Sequence, residues 1–563
     1  MSRLAELRQN YASPSQTRAA IRNAVKRAQR DAPLVLIDTE TGRLCDQRER
    51  MDKFEADPKF AELVASVTTR LGNSRIQQVV QEYFRYATFS HTWEGAEPLF
   101  NDVLHGSVHK LADSSTVLKL VMFCATVREA GLRWAWCDTC CINKADGSVL
   151  QESLNSMFQW YHESSLTIVH LKGVWSDSEL SALERSLWNT RAWTLQEFFA
   201  SRVIRFYTED WKPYRPGEKV YNHKDSPAIM AEMARATGTD IHVLLSLRPG
   251  SDNVRQKLCL AATRVATKQE DMAYSLFGIF DVSISVTYGE GQQRAVGRLL
   301  QEVLTRSGDV TILAWTGKAS DYNSCLPAEI SVYRQPMSLH VPSPIGDGEM
   351  VTLVAELQSS PGHLESAMML YDRVVVLPSP RLVSRRLSLS CIMFPLRGPL
   401  TRSGDSSKRL YRAMTSALGN VEIQTKEDLS SLNNLVLVHP WSQCLLDPAL
   451  SLEDPVMDDD TVPLTPLDGD DEDGDSNALF TNARSTTSSD TVSSPHHASQ
   501  LDKLTRALRL FVRLRRPFGA LLLVTLSHNE YKRVASDHPI VVQLLKDVSP
   551  RYLAQKIRTL DVL

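Results

Sequence analysis

The 563-residue sequence lacks a long hydrophobic run, an excess of charge of one sign and a regular framework of cysteines. Its longest apolar run, residues 518–526, is far too short to cross a bilayer, so we expect no transmembrane segment. The net charge of −3 does not give the global basic surface of a nucleic-acid binder, and no nucleic-acid partner is predicted. Nine cysteines are scattered along the chain, unlike the dense, even sets of secreted scaffolds, which favours a reducing compartment. These absences predict a soluble cytoplasmic protein.

Residues 1–32 lack the apolar core of a secretory signal. They are rich in arginine, as mitochondrial presequences are, but Glu6 and a weak apolar face argue against import. We interpret them as a basic N-terminal arm or helix. This arm and a second basic cluster, residues 503–516, offer contacts to acidic lipid or nucleic acid, although pairing of the cluster with a nearby acidic segment is favoured.

That acidic segment, residues 453–475, holds eleven acidic residues and no basic one, and a Ser/Thr tract follows it. Such a composition cannot bury enough apolar surface to offset chain entropy, so residues 451–500 are predicted to be a disordered insert. A strand-like pattern resumes at 519–527. Residues 501–563 are therefore expected to complete a domain that begins before the insert.

Strand and helix patterns alternate through residues 83–211. The predicted strands are 85–90, 132–138, 166–171 and 202–207, and the predicted helices are 114–131, 149–164 and 180–200. This alternation predicts an α/β fold whose parallel sheet is covered on both faces. Because ligands bind beyond the carboxyl ends of such strands, the loops at 90–95 and 138–146 are candidate site segments.

The segments on either side differ from this region. Residues 33–82, a short strand and turn followed by helical spacing, are interpreted as a lead-in. Residues 212–320 predict a helical extension, with its best helices at 271–280 and 289–307. Residues 321–450 predict a β-rich C-terminal domain, which is a candidate recognition unit. Its strand-like runs are 350–357, 372–378 and 387–394.

Three motifs follow one another in the α/β region: YATFSHTWEG at 86–95, a Trp-Asp-Cys-Ile-Asn block within 134–164, and NTRAWTLQEFFASRVIRFY at 189–207. Their order and spacing resemble those of the heterokaryon-incompatibility (HET) domain of filamentous fungi, with its core at 83–211. The first block departs from the family form, because Glu94 stands between its tryptophan and its glycine. Residues 270–291 resemble the extension common downstream of fungal HET domains, which is expected to add no chemistry.

HET domains are in turn similar to TIR domains, which are flavodoxin-like and in several lineages cleave NAD. The resemblance therefore implies a TIR-like (flavodoxin-like) parallel sheet, a homo-oligomer formed through this module and an unidentified protein activator. It also implies a role in fungal nonself recognition and programmed cell death, with NAD as a possible substrate and no bound cofactor. A non-catalytic interaction module that acts by assembly is the alternative.

Trp193 and Glu197 resemble the tryptophan-to-glutamate helix of TIR domains, in which the glutamate is catalytic. Their four-residue spacing puts both side chains on one helix face. Hydrolysis of the nicotinamide–ribose bond passes through an oxocarbenium-like state, which a carboxylate stabilises or traps. A simpler alternative has Glu197 paired with Arg191 or Arg202 as an anchor for the helix.

Ser90, His91 and Trp93 follow the first strand of the predicted parallel sheet, where a TIR-like fold has part of its nucleotide pocket. An indole at Trp93 or Trp193 suits stacking on adenine or nicotinamide, although Trp93 also suits packing of its loop onto the sheet. Asp138 ends the second strand, in position for a ribose hydroxyl or a metal, or for capping the next turn.

A CxxC motif, Cys137 to Cys140, is followed directly by Cys141. No second pair and no histidine follow at zinc-finger spacing. The resemblance to HET domains implies that this run is a structural strand end, so we predict buried thiols and no metal site. The glycines of YGEGQ at 288–292 lack a Walker or Rossmann context and predict a turn before a helix.

Overall fold

The ranges described by the computed structural model are 11–67, 73–179, 181–215, 220–334, 345–358, 361–403, 409–432, 434–446, 495–526 and 530–563. The first ten residues of the predicted basic arm and most of the predicted disordered insert lie outside these ranges. Across the described ranges, no helix combines the length and the apolar character that a membrane span requires.

One sheet organises the N-terminal part of the chain. Its strands are β1 (Val35–Asp38), β2 (Arg43–Asp46), β3 (Tyr86–His91), β4 (Trp134–Trp136), β5 (Leu166–His170) and β6 (Ile204–Tyr207). They lie in the order β2-β1-β4-β3-β5-β6, and the neighbours among β3 to β6 are parallel. The side chains of β3, β4 and β5 are buried throughout, as expected for parallel strands covered on both faces. The predicted α/β class with a parallel sheet is confirmed at this level.

Helices connect and cover these strands. They are α1 (Pro14–Gln29), α2 (Gln47–Glu55), α3 (Pro58–Ser66), α4 (Asn73–Phe84), α5 (Phe100–Val103), α6 (Ser115–Glu129), α7 (Gly147–Glu163) and α8 (Trp193–Ala200). Side chains of Ser114 and Asp146 cap the first turns of α6 and α7, which fixes where both helices begin. The single helix predicted over 180–200 is wrong in extent, because a 3-10 turn at Leu187–Thr190 precedes α8.

The predicted lead-in contributes two strands to the sheet. The short strand predicted there is present as β1, whereas β2 and the pairing with the parallel strands were not predicted. β1 and β2 form a hairpin, and β1 pairs antiparallel with β4. At the end of β1, the buried carboxylate of Asp38 accepts hydrogen bonds from Lys53 Nζ at 2.5 Å and Arg133 Nη2 at 3.1 Å. These cations compensate the buried charge and attach the hairpin to the parallel strands.

The N-terminal basic segment forms a packed helix within its described residues. Ser13 caps α1 through a capping box, and Ile21 and Val25 on one face of the helix are buried. Of the two interpretations, arm or helix, the helix is therefore correct for this segment.

Helices fill the region between this sheet and the C-terminal part. They are α9 (Pro227–Thr237), α10 (Ile241–Ser246), α11 (Val254–Ala261), α12 (Asp271–Tyr274) and α13 (Gln292–Ser307). The helix predicted at 289–307 is confirmed as α13. The helix predicted at 271–280 is too long, because turns follow Tyr274. In those turns Gly278 packs so closely on Phe158 that an added Cβ would lie 2.0 Å from the phenylalanine Cβ.

The C-terminal part contains both helices and strands. Its helices are α14 (Asp347–Gln358), α15 (Pro361–Val375), α16 (Pro495–Leu514) and α17 (Pro550–Lys556). Its strands are β7 (Arg381–Val383), β8 (Arg386–Pro395), β9 (Arg397–Ser403), β10 (Leu410–Thr415), β11 (Gly419–Gln424), β12 (Leu435–Pro440), β13 (Phe518–Thr525), β14 (Glu530–Val534), β15 (Ile540–Val542) and β16 (Ile557–Val562).

Two sheets use these strands. The larger has the order β12-β13-β14-β16-β8-β7 with β15 paired to β13, and the smaller has the order β11-β10-β9. β13 pairs with β12, so strands that precede and follow the predicted insert belong to one sheet.

Two strand predictions in this part are wrong. Residues 350–357 lie in α14, and residues 372–378 include the end of α15. The buried residues of α14 are Met350, Val354 and Leu357, and their spacing of three or four residues is helical. The predicted β-rich domain is therefore a mixture of helices and strands.

Candidate active site

A cavity of about 200 Å³ lies beyond the carboxyl ends of β3 and β4. Five of the residues predicted to form the site line it together: His91, Trp93, Asp138, Trp193 and Glu197. Ser90 lies directly behind the wall, where its hydroxyl group contacts Glu197. The cavity is thus at the sheet edge that the alternation of strands and helices indicated.

Glu197 occupies a sheltered position in this wall, with 7% of its surface exposed. Ser90 Oγ donates a short hydrogen bond to Glu197 Oε2, and Trp188 Nε1 donates to Ser90 Oγ at 2.7 Å. Ser90 Oγ accepts the hydrogen bond from Trp188, so its own single proton is available for donation to Glu197. The three side chains form a hydrogen-bond relay that holds the carboxyl group in place.

Burial raises the pKa of Glu197 to about 8, and the neighbouring charge of Asp138 adds to the increase. The Ser90 hydrogen bond and the positive charges of Arg191 and Arg264 oppose the shift without cancelling it. At neutral pH the carboxyl group is therefore largely protonated. Strongly raised carboxyl pKa values are frequent in functional clefts, although structural groups also show them.

The two arginines proposed as simple anchors for Glu197 have other contacts. Arg202 is exposed and lies against His162 and Glu163. Arg191 Nη1 is 3.4 Å from Thr267 Oγ1 across the cavity wall. Within the described residues, neither guanidinium forms an ion pair with Glu197, so the anchoring alternative lacks its expected contact.

The sequence patterns placed His91 in the loop after the first parallel strand. In the structure it is the last residue of β3. Its Nε2 lies 3.5 Å from Asp138 Oδ1 and 3.6 Å from Cys137 Sγ. Burial disfavours the imidazolium form, but the contacts with Asp138 and Cys137 outweigh it and raise the pKa of His91 to about 9. His91 and Asp138 therefore join the ends of two adjacent parallel strands.

Trp93 projects from the loop after β3 and is 42% exposed. Its Nε1 donates to Asp138 Oδ2 at 3.1 Å, and Lys144 Nζ lies 3.8 Å from the centre of its ring. The indole is thus held by a hydrogen bond and a cation–π contact, and it is not buried against the sheet. Asp138 accepts from Trp93 and contacts His91, which leaves it oriented toward the cavity rather than toward the following turn.

A sequence profile described as "Heterokaryon incompatibility protein (HET)" matches residues 86–185. The chain carries a HET domain. The matched span includes Ser90, His91, Trp93 and Asp138, whereas Trp193 and Glu197 lie beyond its end.

The chain is also similar to "Vegetative incompatibility protein HET-E-1" of Podospora anserina, with 32% identity over 248 residues. That similarity covers 42% of this chain and 17% of the relative, so the chain corresponds to a small part of that protein. No solved structure matches the chain.

The segment after the HET domain forms the opposite wall of the cavity. Asp271 Oδ2 accepts from Trp193 Nε1 at 3.1 Å, and Asp271 Oδ1 accepts from Tyr288 Oη at 2.9 Å. Lys268 Nζ lies 3.7 Å from the centre of the Tyr288 ring. We expected this extension to contribute no chemistry, yet it contributes a carboxyl group and a phenol to the cavity. The signal was present in the 270–291 motif, which contains both residues.

Two smaller predictions in this region are confirmed. Residues 288–292 form a turn before α13, in which the amides of Gly289 and Gly291 donate to Glu270 Oε1. Cys137, Cys140 and Cys141 are buried free thiols next to the HET-domain cavity, and burial raises the pKa of Cys137 well above its usual value.

Proposed function

We propose that this chain acts in heterokaryon (vegetative) incompatibility and programmed cell death, and that its HET domain hydrolyses NAD through Glu197. The HET domain and the similarity to a vegetative incompatibility protein support the biological role. One observation supports the proposed reaction. The carboxyl group of Glu197 is buried, accepts a hydrogen bond from Ser90 and lines a cavity beyond the parallel strands. Self-association of the HET domain and an unidentified protein activator belong to the same proposal.

The order of the parallel strands supports a TIR-like fold. Numbered along the chain, β3 to β6 lie in the order 2-1-3-4, which matches the first four positions of the flavodoxin-like order 2-1-3-4-5. In such sheets the ligand binds where the strand order reverses, between the first and third strands. Here those strands are β3 and β5, so His91 at the end of β3 lies at that point, and Asp138 beside it follows the neighbouring β4.

The chemistry requires an ionised carboxylate near the ribose. The bond between ribose C1′ and the nicotinamide nitrogen breaks, and its electron pair leaves with nicotinamide. Glu197 stabilises the positive charge at C1′ or bonds to it transiently. A water oxygen then bonds to C1′ and releases a proton to solvent. Where Glu197 has bonded to C1′, that bond breaks in this step and its electron pair returns to the carboxylate, so the products are ADP-ribose and nicotinamide.

The dimensions of the cavity suit part of a dinucleotide. Its volume of about 200 Å³ is below the roughly 300–1,000 Å³ typical of sites for drug-sized ligands. We therefore propose that the nicotinamide riboside half enters beside Glu197 and Trp193. The adenosine half then remains outside, where the exposed ring of Trp93 offers a surface for stacking.

The pKa of Glu197 favours a second candidate function, assembly without catalysis. A carboxyl group with a pKa of about 8 is neutral at physiological pH and does not stabilise a cation. At physiological pH, the hydrolase proposal therefore requires that substrate or self-association lower this pKa. If neither does, the HET domain acts as an interaction module that signals by assembly alone.

Nicotinamide release by the purified full chain tests the reaction. We expect release from NAD at a pH above about 8, where Glu197 is ionised. Glu197→Gln keeps the shape of the side chain and should reduce release by about 100-fold or more. Glu129→Gln, at the exposed end of α6, is the matched control and should retain wild-type release.

Toxicity in a fungal host separates the two candidate functions. The hydrolase proposal expects Glu197→Gln to abolish both nicotinamide release and toxicity while its far-UV circular dichroism stays unchanged. A wild-type chain that kills and self-associates but releases no nicotinamide at any pH overturns the hydrolase proposal and supports the assembly module.

A further inference from the structure

Three potential metal ligands of different chemical types meet beside the cavity. His91, Cys137 and Asp138 each offer one ligand atom, and these atoms all lie within 4.8 Å of one another. His91 comes from the end of β3, whereas Cys137 and Asp138 directly follow β4. Because β3 and β4 are parallel neighbours, their paired ends bring His91 to Cys137 and Asp138, although His91 and Cys137 are 46 positions apart in the sequence.

Two of the three distances between the ligand atoms suit tetrahedral zinc. Bond lengths of roughly 2.3 Å to sulfur and 2.0–2.1 Å to nitrogen or oxygen give ligand-to-ligand edges of about 3.3–3.6 Å in a tetrahedron. His91 Nε2 lies 3.6 Å from Cys137 Sγ and 3.5 Å from Asp138 Oδ1. Both measured edges agree with that geometry.

Outer contacts orient the same three side chains. His91 Nδ1 lies 3.2 Å from the carbonyl oxygen of Thr92, which favours the tautomer whose Nε2 lone pair faces the other ligands. Trp93 Nε1 donates to Asp138 Oδ2 and leaves Oδ1 directed toward His91. Contacts of this kind, from ligand to outer carbonyl or donor, are the usual support of zinc sites.

We propose that His91, Cys137 and Asp138 bind one Zn²⁺ ion at the rim of the cavity. A histidine, a thiolate and a carboxylate are a ligand set that zinc accepts, and three protein ligands leave the fourth position open to water or substrate. His91 and Asp138 both line the cavity, so that fourth position faces the space where a ligand would bind. Coordination releases the thiol proton of Cys137 and any proton on His91 Nε2 to solvent.

This inference departs from our sequence-based expectation of no metal site, and it does not depend on the proposed NAD hydrolysis. Glu197 is outside the ligand set, so Glu197→Gln should bind Zn²⁺ as the wild-type chain does. A chain that does not hydrolyse NAD would therefore not contradict the zinc site, and a chain that does not bind Zn²⁺ would not contradict the proposed role of Glu197.

Metal titration of the full chain, first stripped by a chelator, tests the site. Zn²⁺ added in competition with a chromophoric chelator should bind at one equivalent per chain. Cys137→Ser and Asp138→Asn should each weaken that binding by at least about 100-fold, more than the 10–100-fold typical of outer-contact changes. Cys391→Ser, a buried free thiol in β8, is the matched control and should bind as the wild type does.

Cobalt gives an independent readout of the ligands. Co²⁺ in the wild-type chain should show tetrahedral absorption and a thiolate-to-cobalt charge-transfer band. Cys137→Ser should lose the charge-transfer band while Cys391→Ser keeps it, and Asp138→Asn provides a near-isosteric test should Cys137→Ser fold poorly. Absence of one-equivalent binding, a cobalt complex without the charge-transfer band, or equal weakening by Cys391→Ser overturns the proposal.

Discussion

At the scale of single residues, Glu197 is held by burial and a neutral hydrogen-bond relay, and no ion pair joins it to another described residue. Ser90 supplies the hydrogen bond to its carboxyl group, and Trp188 supplies the bond to Ser90. The sequence motifs indicated Glu197 and Ser90 as site residues but gave no sign of Trp188. Trp188 is 98 positions from Ser90, in the 3-10 turn before α8, and only the fold brings the two side chains together.

We predict that Glu197 makes the stability of the chain depend on pH. Its pKa is about 8 when folded and 4.5 in its ordinary state, so between these values the folded chain holds an extra proton. The stabilisation is complete below pH 4.5 and is lost as pH rises through about 8, at up to about 1.4 kcal/mol per pH unit. Urea unfolding at several pH values measures this slope.

Glu197→Gln cannot titrate and should remove this contribution, which makes the unfolding free energy flatter between pH 5 and pH 8 by that slope. Glu129 is exposed, and Glu129→Gln should keep the wild-type dependence of the unfolding free energy on pH. Identical slopes in Glu197→Gln and the wild type would show that Glu197 titrates normally.

A second residue-scale prediction concerns Trp188 as a positioning residue. Trp188→Phe keeps the ring but removes the donor to Ser90, which weakens the serine bond to Glu197 and raises the pKa of Glu197 further. Nicotinamide release should therefore shift to higher pH, and the chain should lose about 1 kcal/mol of stability. Trp136→Phe is the control, because the buried indole nitrogen of Trp136 has no hydrogen-bond partner among the residues that the structure describes. Equal pH profiles for Trp188→Phe and the wild type would limit Trp188 to a structural role.

At the scale of elements, the secondary structure of a segment was predicted correctly where its burial pattern was visible in the sequence. β3, β4 and β5 were predicted because central parallel strands are apolar over their whole length. α14 and the end of α15 were misassigned because their many β-branched residues suggested strands. Their buried positions nevertheless repeat at helical intervals, as in Ala367, Leu370 and Val374 of α15. Composition was therefore a weaker guide than spacing.

The contact between α7 and the turns after α12 supplies an element-scale prediction. Gly278 lies against Phe158 of α7, and an added Cβ would come within 2.0 Å of the phenylalanine Cβ. Gly278→Ala should therefore push the extension away from the HET domain and cost about 1–3 kcal/mol. Gly147→Ala, in the first turn of α7 with open space around it, should change the unfolding free energy by less than about 0.5 kcal/mol. Thermal unfolding of both variants measures the difference. A Gly278→Ala chain as stable as the wild type would mean that the contact between Gly278 and Phe158 has room for a methyl group.

At the scale of the whole molecule, the helical extension and the C-terminal sheet share a hydrophobic core. Leu313 and Trp315 from the extension are in the same cluster as Leu389 of β8 and Leu523 of β13. Removal of the C-terminal half would therefore expose the core of the extension as well as remove the candidate recognition unit. A test of whether that unit restrains or directs the HET domain is better made with point variants at its surface than with a truncation.

Arg533 of β14 joins the two parts of this core, and its replacement gives a whole-molecule prediction. It is buried, donates to the carbonyl oxygens of Leu313 and Trp315 at 2.8 Å each, and lies 3.8 Å from the centre of the Trp315 ring. Arg533→Met keeps most of the volume but removes both hydrogen bonds. The Leu313 carbonyl keeps its bond from the Trp315 amide at 3.1 Å, whereas the Trp315 carbonyl loses the donor that Arg533 supplies, and the change should cost about 3 kcal/mol.

Because the lost bonds connect the extension to the C-terminal sheet, unfolding of Arg533→Met should begin with separation of these two parts. Urea unfolding should then show an early transition, and limited proteolysis should release a C-terminal fragment before the HET domain is cut. Lys532→Met, one position earlier on the exposed face of β14, should unfold as the wild type does. A single unshifted transition in Arg533→Met would mean that apolar packing alone holds the two parts together, with the guanidinium contributing little to the joint.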